Sequence, residues 1–168
     1  MNTTPFADAV SSNQPSPPPA MTPSADGASP LYETRVTASG GRHGAIKSED
    51  GLLALHLALP KSLGGPGDAT NPEQLFAGGY AACFENALLK VAREAGLHLS
   101  DEDVEVSVTA ALSRNEHNAF VLSCALDVVM ARVAPDRAQE LAHKADAICP
   151  YSNAIRGNVD VVISVSVR

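Results

Sequence analysis

The stretch "NPEQLFAGGYAACFENALLKVAREAG", residues 71–96, constrains the fold more than any other part of the chain. Asn71, Pro72 and Gln74 read as an N-cap, a first helical residue and a capping-box partner. Gly96 supplies a stop, so the pattern predicts one helix from Pro72 to about Ala95. Its apolar members Leu75, Phe76, Tyr80, Ala81, Ala82, Phe84, Leu88 and Leu89 do not share one narrow stripe. A helix that is apolar nearly all round must be covered on every side. One small sheet from the same chain cannot do that, so the pattern points to a second subunit. Gly78 and Gly79 each cost about 1 kcal/mol inside a helix, and they fit where another backbone packs closely.

The flanking sequence reads as strands and turns. "LYETRVTAS" and "LLALHLAL" alternate as strands do, with the turn "GGRHG" between them and Pro60 closing the second. "GGPGDATN" is a loop leading into the helix. "VEVSVTAAL" and "AFVLSCALDVVM" read as an antiparallel pair joined by "SRNEHN". A second helix opens at Pro135 and Asp136, with Ala138, Leu141, Ala142, Ala145 and Ile148 at helical spacing. Pro150 interrupts it, a short turn over Ser152–Arg156 ends at Gly157, and "VDVVISVSV" is a last strand. Paired strands with separate helices make an α+β fold with an antiparallel sheet.

Residues 1–30 have a different composition. They hold seven of the twelve prolines, one aromatic residue, and no lysine or arginine. Such a segment buries too little apolar surface to order itself, and it reads as a disordered Pro/Ser-rich tail. It has neither the basic start and apolar run of a signal peptide nor the arginines of a transit peptide. Residues 31–168 then form one domain. Asp8 and Asp26 carry −2 of the net charge of −7, which leaves −5 on that domain. This balance argues against nucleic acid and anionic membrane as partners. Glu85 and Lys90 interrupt the longest apolar run, so no membrane span is expected. Three cysteines without an export signal point to the reducing cytoplasm, where a disulfide is transient and catalytic.

The thiols differ in setting. Cys124 shares an alternating face with Phe120, Leu122, Leu126 and Val128 and reads as a core residue. Cys149 precedes Pro150, which pushes it out of helical geometry and makes it a possible N-cap of the next turn. The positive end of a helix favours a thiolate, yet on spacing alone packing is the better account of this cysteine. Cys83, inside the apolar helix, is either a small hydrophobe or a nucleophile, and spacing leaves both open. A thiolate there needs a cation. Arg42 in "GGRHG" is a candidate, and Glu73 on the helix's first turn can hold its guanidinium through two bonds. Unit charges 4 Å apart at an effective dielectric of 20 attract by about 4 kcal/mol, enough to offset a sizeable burial penalty. His43, His56, His98, His117 and His143 show no paired spacing, so no metal site is expected.

"GGRHG", "TNPEQLFAGGYAACFENAL" and "ICPYSNAIRGNVDV" together resemble the organic hydroperoxide resistance branch of the Ohr/OsmC family, in the family's order and over residues 31–168. The proline-rich tail and Cys124 lie outside the pattern. The resemblance implies an OsmC/Ohr-like fold, an intertwined homodimer with antiparallel sheets packed around a long central helix. It implies a thiol peroxidase without metal or other cofactor, in which Cys83 attacks, Cys149 resolves, and Arg42 with Glu73 activates. The substrates implied are organic hydroperoxides (alkyl, aryl and fatty-acid). Phe76, Tyr80, Phe84 and Tyr151, neighbours of the matched positions, line the pocket or fill the core. The reductant implied is an external dithiol, typically a lipoylated protein. Two alternatives remain: an OsmC-type peroxidase of different peroxide preference, and a redox sensor that oxidises once.

Overall fold

The computed structural model describes residues 29–168. The expected N-terminal tail lies, as far as residue 28, outside the described residues. Residues 29–35 form no helix or strand. From Val36 onward the chain is one unit.

Three short strands come first: β1 (Val36–Ser39), β2 (Ala45–Ser48) and β3 (Ala54–His56). They pair antiparallel in the order β1-β2-β3, with Ala38 opposite Ile46 and Ile46 opposite Leu55. Both flanking strands are shorter than alternation alone predicts. Beyond His56 one more bond continues the β2–β3 pairing, Leu57 donating to the Gly44 carbonyl at 2.8 Å; Ala58 then donates to the Thr70 carbonyl at 2.8 Å. That second bond ties the end of β3 to the residues just before the long helix. β1 and β3 are exposed along their whole length.

The long helix α1 runs Pro72–Glu94. Asn71 caps it, its side-chain oxygen accepting the Gln74 N–H at 2.9 Å. The Gln74 side chain does not close a capping box on Asn71; it accepts from the Thr70 hydroxyl at 2.9 Å. At the other end Gly96 takes φ +77, and Leu97 N–H bonds the Ala92 carbonyl at 2.9 Å, a Schellman stop that only a residue tolerant of positive φ allows.

The second sheet contains β4 (Val104–Arg114), β5 (Phe120–Met130) and β6 (Asp160–Val167) in that order. β4 and β5 form the expected antiparallel hairpin. β6 runs parallel to β5, so this sheet is mixed rather than wholly antiparallel. The reason is the connection: α2 (Pro135–Ile148) and α3 (Pro150–Ile155) cross between the two strands, and a helical crossover returns the chain in the same direction. Tyr80, Phe84, Leu88 and Val91 of α1 form the core with Ala138, Leu141 and Ala145 of α2, against Cys124, Leu126, Val128 and Met130 of β5. Cys124 is thus a core residue, 5 % exposed.

The Asn71 cap predicts a measurable loss. Asn71→Ala should lower unfolding stability by about 1 kcal/mol. Urea denaturation should show a lower midpoint with an unchanged slope, and an unaltered midpoint would mean the cap contributes nothing.

Candidate active site

Two pairs of side chains are built on α1, one on its first turn and one at its middle. The first joins Arg42 to Glu73. Gly40 and Gly41 both take positive φ, and a Cβ at Gly44 would lie 1.7 Å from the Ser39 carbonyl oxygen. Only glycines permit this turn, and it presents Arg42 to the first turn of α1. The guanidinium donates from Nη1 to Glu73 Oε2 at 2.7 Å and from Nη2 to Oε1 at 2.5 Å. That fork holds the Glu73 carboxyl below its ordinary range and raises the guanidinium further. A groove of about 460 Å³ opens beside Glu73, between the 60–63 turn, α1 and the Val108, Ala110 and Leu112 side of β4.

The second pair joins α1 to the α2–α3 junction. Cys149 is at once the last cap of α2 and the N-cap of α3, with φ −65 and ψ 122. Its N–H bonds Ala145 O at 2.8 Å and its own carbonyl accepts from Asn153 N–H at 3.0 Å, so the backbone is held from both sides. Proline at 150 forces the extended geometry and swings the side chain inward. The Cys149 Sγ lies 3.6 Å from Cys83 Sγ, with Cys149 fully buried and Cys83 half-buried. Both thiols are free.

Burial pushes the Cys83 thiol above its ordinary pKa. The Tyr151 backbone N–H, directed at the sulfur, opposes that, and the neighbouring Cys149 adds to it. Among the described residues of this one chain, Arg42 is not among the groups acting on the sulfur. The geometry explains why. Glu73 precedes Cys83 by ten residues, about 15 Å along the helix axis. The expected approach of Arg42 to Cys83 therefore does not occur within the chain as described.

The four aromatic candidates divide. Tyr80 and Phe84 are fully buried in the core. Phe76 is half-buried and Tyr151 is 40 % exposed. Phe76, Tyr80 and Tyr151 form one cluster with ring centroids 6.0 to 6.3 Å apart. Gly79 allows it, because a Cβ there would meet the Tyr151 hydroxyl at 3.0 Å and its ring at 3.2 Å. Sequence reasoning missed Ser152, which bonds Tyr80 across the α1–α3 contact; its three-residue spacing from Cys149 was the available signal. Among the described residues no group of three His, Cys, Asp or Glu is placed to hold a metal ion, and no helix is long and apolar enough to cross a membrane.

The fold that positions these side chains has close counterparts among known proteins. The chain belongs to the OsmC-like protein family, whose profile matches residues 65–164. Its relatives include "Organic hydroperoxide resistance protein-like 2" of Staphylococcus saprophyticus, 43 % identical over 141 residues, which covers 83 % of this chain and 98 % of that one. The organic hydroperoxide resistance protein of Xanthomonas axonopodis pv. citri is 42 % identical over 138 residues, covering 81 % and 95 %. The crystal structure of an organic hydroperoxide resistance protein from Legionella pneumophila superposes with a TM-score of 0.78 at 49 % identity, covering 82 % and 99 %.

The Arg42–Glu73 pair has a pH signature. A carboxyl whose folded pKa is depressed contributes stability above its unfolded pKa and loses it as pH falls through the folded value. Glu73→Gln should therefore destabilise the protein at pH 7 by about 1 kcal/mol, a figure held small by solvent screening of the half-exposed guanidinium. The gap to wild type should close below about pH 4. A gap independent of pH in denaturant titrations would show that the pair's charge contributes nothing.

Proposed function

We propose that this chain is a thiol-dependent peroxidase that reduces organic hydroperoxides to alcohols. The observation that carries the reading is the 3.6 Å approach of Cys83 and Cys149 with an amide aimed at the Cys83 sulfur. The names of its relatives supply the substrate class. The Cys83 thiolate attacks the terminal peroxide oxygen, forming S–O as O–O breaks. The alkoxide leaves and takes a proton, and a sulfenic acid remains. The Cys149 sulfur then attacks the Cys83 sulfur. S–S forms, S–O breaks, and the hydroxyl leaves as water with the Cys149 proton. An external dithiol, a lipoyl group in this reading, reduces the bridge by exchange. Phe76 and Tyr151, the exposed pair of the aromatic cluster, form the wall for the alkyl or aryl group, while Tyr80 and Phe84 support it from the core.

The working unit in this proposal is a homodimer. Gln74, Gly78, Ala82, Asn86 and Lys90 repeat every fourth residue along the exposed face of α1. Gly78 there has open space where a Cβ would go. Gly78 and Ala82, the two small residues at the middle of that row, permit close approach of a second helix. Ile46 is the buried apolar residue of the first sheet, and among the described residues none of its strands joins the core cluster around α1, so this sheet too needs a surface to pack on. In a two-fold pairing of antiparallel α1 helices that cross at Gly78, five residues from both Glu73 and Cys83, the Arg42–Glu73 pair of one protomer comes to Cys83 of the other. The cation that offsets burial of the thiolate then comes from the partner subunit.

Two experiments test this. With dihydrolipoamide as reductant, wild type should consume cumene hydroperoxide faster than hydrogen peroxide, and Cys83→Ser should be inactive. One equivalent of peroxide should give a Cys83–Cys149 bridge with Cys124 free by peptide mapping. Preference for hydrogen peroxide would favour the OsmC-type reading, a single oxidation without turnover would favour a sensor, and a bridge to Cys124 would overturn the assignment.

Subunit mixing tests the origin of the cation. Arg42→Ala should slow peroxide attack and move the Cys83 alkylation midpoint to higher pH in a Cys124→Ser, Cys149→Ser background. Mixing Arg42→Ala with Cys83→Ser chains, each inactive alone, should restore activity in heterodimers. No restoration in verified heterodimers would sink the shared site.

A further inference from the structure

The contact between α1 and α3 has a second rung that the chemistry above does not use. Tyr80 and Cys83 stand three residues apart on α1, and Cys149 and Ser152 stand three apart at the start of α3. One rung is the sulfur pair at 3.6 Å; the other is a hydrogen bond between the Tyr80 and Ser152 hydroxyls at 2.9 Å. Both hydroxyls belong to buried side chains, with Tyr80 unexposed and Ser152 3 % exposed. Removing one partner of a buried hydrogen bond deprives the other of its protein partner.

Each end of that bond is fixed. The Tyr80 ring packs edge-on against Phe76 and Phe84, with centroids at 6.1 and 6.4 Å. Ser152 lies in the middle of α3, a helix of six residues. The N-terminal turn of α3 is also held by the Tyr151 amide on the Cys83 sulfur and by the Tyr151 ring against Phe76 and Tyr80. Cys149 makes no side-chain cap and Pro150 has no N–H to donate, so the Ser152 hydroxyl supplies the side-chain hydrogen bond from that turn to α1. A further polar tie, Arg156 to Asp146 at 3.0 Å, lies at the far end and is half exposed.

We propose that the Tyr80–Ser152 hydrogen bond sets the distance between Cys149 and Cys83, which makes both hydroxyls positioning residues for the disulfide-forming step. The assignment rests on the peroxidase reading and deepens it. The step concerned is the attack of Cys149 sulfur on the Cys83 sulfenic acid, in which S–S forms, S–O breaks and water leaves. Attack on the hydroperoxide uses the Cys83 sulfur and not that of Cys149, and does not need the rung.

Stopped-flow separates the two steps. One equivalent of cumene hydroperoxide is added to reduced wild type, Ser152→Ala, Tyr80→Phe and the double variant, and sulfenic acid lifetime is followed by dimedone trapping and mass spectrometry. The initial oxidation of Cys83 should keep its wild-type rate in Ser152→Ala. Disulfide formation should slow roughly 3- to 30-fold in each single variant. The double variant should be no slower than the worse single one, because both remove the same bond. Ser152→Thr, which keeps the hydroxyl and can place its methyl in the cavity of about 190 Å³ beside Ser152, should return disulfide formation toward wild type. A general loosening of the fold would slow both phases alike and would not be rescued by threonine. Unchanged disulfide formation in Ser152→Ala and Tyr80→Phe, or equal slowing of both phases, overturns the proposal while leaving the peroxidase reading intact. Failure of wild type to oxidise at Cys83 would instead overturn the reading on which it rests.

Discussion

Burial of α1 along one side decides where everything else can go. Tyr80, Phe84, Leu88 and Val91 recur at intervals of three or four residues and lose all or nearly all of their exposure against β5 and α2. Each such side chain contributes about 1.5–3 kcal/mol, so the rotation of the helix about its axis is not free to drift. Cys83 sits beside Phe84, at the edge of that buried face. Its sulfur is therefore half-sheltered by a rotation fixed by its neighbours. The opposite face, with Gly78 and Ala82, is left smooth and open.

That placement creates an electrostatic difficulty that the chain answers only in part. Burial raises the Cys83 thiol, and the Tyr151 amide pulls it back. A backbone N–H is a partial charge, weaker than an ion, but its position is set by the α3 backbone rather than by a flexible side chain. The full positive charge sits with Glu73, about 15 Å away along the same helix. A bidentate pair keeps a guanidinium oriented and charged without neutralising its field completely. Charge and thiol are thus prepared separately on one helix, the charge at its first turn and the thiol at its middle.

The parts legible in the sequence were those with local causes. Asn71, Pro72 and Gly96 bracketed α1 to within a residue because caps and stops act over one turn. Cys124 was readable as core because a strand alternates with period two. Long-range outcomes were not readable. The parallel direction of β6 depends on where the α2–α3 crossover delivers the chain, and no residue in "VDVVISVSV" records it. Tyr80 and Phe84 were candidates for both pocket and core, because apolar periodicity does not say which of two apolar faces the chain itself covers. Arg42 and Glu73 were legible as a pair, but their separation from Cys83 needed only the helix rise to be noticed. Ser152 left no compositional trace, since a serine in a short helix ordinarily faces solvent.

The α2–α3 junction shows why a proline beside a cysteine matters more than either alone. A cysteine inside a continuous helix has its sulfur position fixed by that helix's packing. At the junction, Cys149 belongs to two helices at once, held by Ala145 behind and Asn153 ahead. Pro150 prevents the helix from running through and cannot itself demand a hydrogen bond. The sulfur therefore projects from a corner, and a small rotation about ψ of one residue moves it without unpacking α2. The 3.6 Å separation of the two thiols must shrink to about 2 Å in a disulfide. A corner can supply that motion with less disturbance than a sliding helix, because α2 stays packed against α1 and β6 through its buried Ala138, Leu141 and Ala145 while only the short α3 follows.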